Sequence, residues 1–159
     1  MQMMRINVNA ANKTSGFTLL ELLIAIGIIF ILAAIGVAAL SNYRKSAVVG
    51  EGREKILTEL AGARAKTLGS EANAAYGIHF EETRVVMFKG SAYLAGDPEN
   101  KETKLPPGVA ITNIALGGGA EVVFERLTGK ALQAGTITLA ATGASGGATI
   151  TIYSSGIFE

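Results

Sequence analysis

The sequence predicts an α+β protein: a long N-terminal transmembrane and spine helix packed on a small, mainly antiparallel β-sheet head. An uncharged apolar run, Leu22 to Leu40, is long enough to be a membrane helix. An amphipathic stretch then continues the helical pattern to about Leu68. From about residue 75 to 159, short alternating segments are separated by glycine and proline turns, which is the pattern of a small antiparallel sheet.

The apolar run holds 19 residues, so as a helix it measures about 28 Å, against roughly 30 Å of bilayer hydrocarbon. It is apolar on every face, whereas a helix lying on a soluble domain shows a polar stripe at the 3.6-residue period. It also exceeds the roughly 7 to 15 apolar residues of a cleavable secretory signal, and Glu21 stands at its start. Arg5 and Lys13 ahead of it are matched by Arg44 and Lys45 behind, so basic residues alone do not orient it.

Glu21 distinguishes this helix from a plain anchor. A carboxylate entering a membrane costs about 2.5 to 3.5 kcal/mol at the helix centre and less near the interface, so it tends to mark a functional pairing. Cleavage between Gly16 and Phe17 creates an α-amino cation at the matching depth, within reach of Glu21 of the same chain or of a neighbour. A hydrated glutamate at headgroup level is the simpler alternative.

From Ser41 to about Leu68, Val48, Val49, Ile56, Leu57, Leu60 and Ala61 recur at helical spacing, which predicts an apolar stripe facing a sheet. Gly50 and Gly52 interrupt it and predict a bend. Predicted strands are Tyr76 to Phe80, Arg84 to Phe88, Val109 to Ile114, Glu121 to Phe124, Thr136 to Ala140 and Thr149 to Tyr153.

Composition narrows the function classes. The 159 residues contain no cysteine and one histidine, which excludes thiolate chemistry and a histidine-based metal cluster within one chain. His79 reads as a strand residue. Asp97, Glu99 and Glu102 fit no calcium-loop spacing and read as a solvated turn. No catalytic residue, metal ligand or cofactor is expected. Removing residues 1–16 takes away Arg5 and Lys13, leaving 12 basic against 13 acidic residues, a balance that predicts no strong polyanion binding.

The stretch Lys13-Thr14-Ser15-Gly16-Phe17-Thr18-Leu19-Leu20-Glu21, followed by the apolar helix, resembles the class III signal of type IV pilins and type II secretion pseudopilins. The resemblance implies a leader at 1–16, a transmembrane and filament-spine helix at 17–40 and a head at 41–159. It implies prepilin peptidase cleavage after Gly16, N-methylation of Phe17 and pairing of Glu21 with a neighbouring subunit's Phe17 amine during assembly. Many members carry a proline near the end of the apolar helix, where this chain has Ala38 and no proline before Pro98.

The head motifs Gly77-Ile78-x-Phe80, Leu105-Pro106-Pro107-Gly108-Val109-x-Ile111, Val123-Phe124 with Gly129, Thr136-Ile137-Thr138-Leu139, Thr149-Ile150-x-Ile152 and Gly156-Ile157 resemble the GspH/FimT minor pseudopilin domain. That likeness implies a minor structural subunit, not an enzyme, of a type II secretion pseudopilus or type IV pilus-like filament. It would begin as a single-pass protein of the inner membrane with its head outside the cytoplasm and end in a periplasmic or surface filament. Its partners would be prepilin peptidase, the membrane and sibling pilins. The alternative is a tip subunit that captures DNA or another ligand, a role weakened here because the chain ends Gly156-Ile157-Phe158-Glu159 without arginines.

Overall fold

The computed structural model of the chain describes residues 16–143 and 146–159. Apart from Gly16, the expected leader lies outside the described residues. The chain divides into a first unit ending at Ala39 and a second, Leu40–Glu159.

Helix α1 spans Leu19–Leu68. In the first unit the window Leu19–Val37 has a mean hydropathy of 2.8 and is 0% buried among the described residues. In the second unit the helix has a buried face made by Val49, Gly52, Ile56, Glu59, Leu60, Ala63 and Thr67, spaced as one stripe of an amphipathic helix. Ala61, expected in that stripe, is exposed.

The predicted bend at Gly50 and Gly52 is not a break, since α1 runs through both. Gly52 serves close packing instead: a Cβ there would lie 3.1 Å from Val109 Cγ1 and 3.6 Å from Leu139 Cδ2. A Cβ at Gly50 would meet nothing within 4 Å.

After a 3₁₀ turn at Glu71–Asn73 come β1 (Tyr76–Phe80), β2 (Arg84–Lys89), β3 (Lys101–Lys104), β4 (Val109–Leu116), β5 (Glu121–Phe124), β6 (Gly135–Ala141) and β7 (Gly147–Ile152). They form two antiparallel sheets, one in the order β3-β2-β1-β5 and one in the order β4-β6-β7. Six of these strands match predicted segments. Strand β3 was unforeseen, so Glu102 is a strand residue and not part of a turn.

Both sheets share one core with α1. Ile56 and Leu60 of the helix pack with Ile78, Phe80, Val122 and Phe124 of the first sheet and Ile137, Leu139 and Ile150 of the second. The edges are tied in by polar contacts. Glu59, 8% exposed on α1, accepts hydrogen bonds from Lys101 Nζ at 2.9 Å and Thr103 Oγ1 at 2.8 Å, which fixes edge strand β3 to the helix. Buried Thr67 donates from Oγ1 to the Ala63 carbonyl and accepts the Tyr76 N–H at 2.9 Å, joining the end of α1 to β1.

Candidate functional site

The start of α1 is built around Thr18. Its carbonyl accepts the Leu22 N–H at 3.1 Å, and its Oγ1 accepts the Glu21 N–H at 3.2 Å. Thr18 is therefore the N-cap, and Thr18-Leu19-Leu20-Glu21 has the Thr-x-x-Glu pattern of a capping box. Glu21 stands in the first turn, where the positive end of the helix dipole favours a carboxylate. Sequence reasoning gave Glu21 an intermolecular partner and overlooked this local role, although the spacing displays it.

Leu20, Glu21, Ile24 and Ile28 fall on one helical face and, with Phe17 and Thr18 just ahead of the helix, line a shallow groove. The structure thus gathers two of the three predicted site residues, Phe17 and Glu21, into one feature. Phe17 is 78% exposed. Gly16 precedes them, exposed and with nothing within 4 Å of where a Cβ would stand.

Residues 11–37 match the family described as the prokaryotic N-terminal methylation motif. The match supports a type IV pilin-like precursor. Such a precursor implies processing by prepilin peptidase and assembly with other pilins, and the type IV pilin-like family is structural rather than enzymatic. An exposed N-terminal apolar helix fits membrane anchoring before assembly into a filament. No curated protein and no solved structure matches the chain.

In the head, the charged side chains tie elements together. Arg84 donates from Nε and Nη2 to the two Glu81 carboxylate oxygens at 2.7 and 3.1 Å, and from Nη1 to Glu102 at 2.9 Å, linking β2 to β3. The hydrogen bond from Arg84 holds the Glu81 carboxyl below the usual glutamate range. Glu99 pairs with Lys89 at 3.1 Å, so neither Glu99 nor Glu102 is an uncommitted ligand. Among the described residues no group of three His, Cys, Asp or Glu side chains is placed to hold a metal ion. His79 lies in β1.

Proposed function

We propose that the protein is a minor pilin or pseudopilin, a structural subunit of a type II secretion pseudopilus or type IV pilus-like filament. Prepilin peptidase cuts after Gly16, Phe17 becomes the N-methylated terminus, and residues 17–40 form the membrane and later the spine helix. The exposed helix Leu19–Val37, with a carboxylate in its first turn, is the observation that carries this reading. An apolar surface of that extent is stable only against lipid or other apolar helices.

Glu21 sets axial register in this scheme. Inside a bundle of apolar helices it needs a cation, and the Phe17 amine of a neighbour supplies one. Sharing a groove with Phe17 suits that exchange. In this reading the head carries the contacts that distinguish a GspH/FimT-like minor component from its siblings, and two sheets on one helix are compatible with that role.

The test is incorporation of a Glu21→Ala variant into filaments in cells that make the native assembly machinery. Membrane insertion and head folding should persist, while the filament-bound fraction falls several-fold. Normal incorporation of the variant would remove the registry role. Salt-sensitive binding of duplex DNA by the full chain in detergent would instead favour the ligand-capturing alternative.

A further inference from the structure

We propose that Tyr43, Arg44 and Lys45 form an anionic-lipid site that seats the start of the head on the phosphate layer of the membrane before assembly. The site rests on the reading of residues 17–40 as a membrane helix. Between Leu22 and Gly50, Arg44 and Lys45 are the only charged residues, and the next acid is Glu51. Further along α1 the basic residues have acidic partners, Arg53 with Glu54 and Lys55 with Glu51. Arg44 and Lys45 have no ion-pair partner among the described residues. Two such cations at the end of an apolar run match a negatively charged surface.

This stretch of α1 is open on one side and fixed on the other. Leu40, Tyr43, Arg44 and Ala47 are all exposed, and their spacing of three, four and seven from Leu40 puts them on one helical face. Tyr43 is 73% exposed. On the other side Val49 lies in the head core and Val48 packs against it. Lys45 is partly buried, and its Nζ donates to the Gly143 carbonyl at 2.8 Å, in the turn that follows β6. An ammonium has three N–H donors, so two remain for phosphate oxygens. The planar guanidinium of Arg44 can donate two parallel bonds to one phosphate.

The depth is that of lipid headgroups. Arg44 stands four residues past Leu40, where the apolar run ends, which is about 6 Å of helical rise. The headgroup layer adds about 5 to 7 Å on each side of the hydrocarbon. Tyrosine collects at that level because its ring is apolar and its hydroxyl is wet, and long basic side chains there keep their stems on apolar surface and their heads at the phosphates. A free phosphate ion or a carboxylate would use the two cations alone. A phospholipid uses the whole face, with its phosphate on Arg44 and Lys45 and its acyl chain on Leu40 and the Tyr43 ring.

Native mass spectrometry of the full chain released from nanodiscs, made of equal parts phosphatidylcholine and phosphatidylglycerol with the same acyl chains, counts the lipids it keeps. A cation at an anionic surface is worth about a five-fold preference, so phosphatidylglycerol should be retained several-fold over phosphatidylcholine. Arg44→Gln, which leaves Lys45 on Gly143, should lower the ratio, and Arg44→Gln combined with Lys45→Gln should bring it near parity. Lys55→Gln, further along α1, should keep the native ratio. Parity in the native chain overturns the site, and so does a preference that survives in the double variant. A native chain that fails to enter discs of phosphatidylcholine alone overturns the membrane reading together with the site, whereas insertion with parity overturns the site alone.

Discussion

Thr18 and Glu21 together cap the first turn of α1, and the proposed function gives Glu21 a second task after cleavage. As long as the chain is a single molecule, the Thr18 hydroxyl and the Glu21 carboxylate stabilise the first turn of α1. In the proposed maturation, cleavage after Gly16 would place a cationic amine one residue before the cap, and the same carboxylate would become its counter-ion. Thr18→Ala should cost about 1 kcal/mol of local helix stability, seen as faster amide exchange at Leu19 to Leu22 in detergent. Glu59 makes a comparable residue-scale case in the head. Its replacement by Ala leaves Thr103 and Lys101 without their acceptor and should destabilise the head by about 1–3 kcal/mol, with a lowered midpoint on thermal unfolding. Glu59→Gln, which keeps an acceptor, should lose less.

Among the elements, α1 is the clearest example of pattern and packing acting together, and its two central glycines separate the effects. Gly50 has open space around it, so Gly50→Ala should stabilise the helix by up to about 1 kcal/mol. A Cβ at Gly52 would stand 3.1 Å from Val109 Cγ1, so Gly52→Val should overpack the helix–sheet contact and cost about 1–3 kcal/mol. Denaturant unfolding of the two variants checks both signs.

Both glycines look alike in the sequence, because the close neighbour of Gly52 lies in β4, more than fifty residues away. Alternation made six strands legible, as in Thr136-Ile137-Thr138-Leu139 of β6. Strand β3 reads Lys-Glu-Thr-Lys and has no apolar residue, since it is an edge held by backbone pairing to β2 and by Glu59. Charged side chains suit such an edge by discouraging further pairing. The division into two sheets was equally invisible, because it depends on which strands pair and not on what each one is.

Across the whole molecule, the two units treat their apolar residues differently. The head buries its own in one core, whereas the window Leu19–Val37 leaves its own exposed, which fits membrane anchoring before assembly. Acid should loosen the head before it affects the apolar helix. Glu81 has a lowered pKa through its hydrogen bond from Arg84, so the stability it adds is present above the ordinary glutamate range and disappears as pH falls through the lowered value. Both partners are about one-third exposed, so screening by solvent keeps that contribution small. Arg84→Gln should therefore reduce head stability at neutral pH and flatten its decline in acid, as followed by thermal unfolding across pH.

The central claim, a subunit matured for helix-to-helix assembly, is tested most directly by the intact mass and N-terminal sequence of the chain recovered from assembled filaments. The account predicts a mature chain that begins at Phe17 and is heavier by one methyl group. A filament-bound chain that retains residues before Phe17 would contradict it.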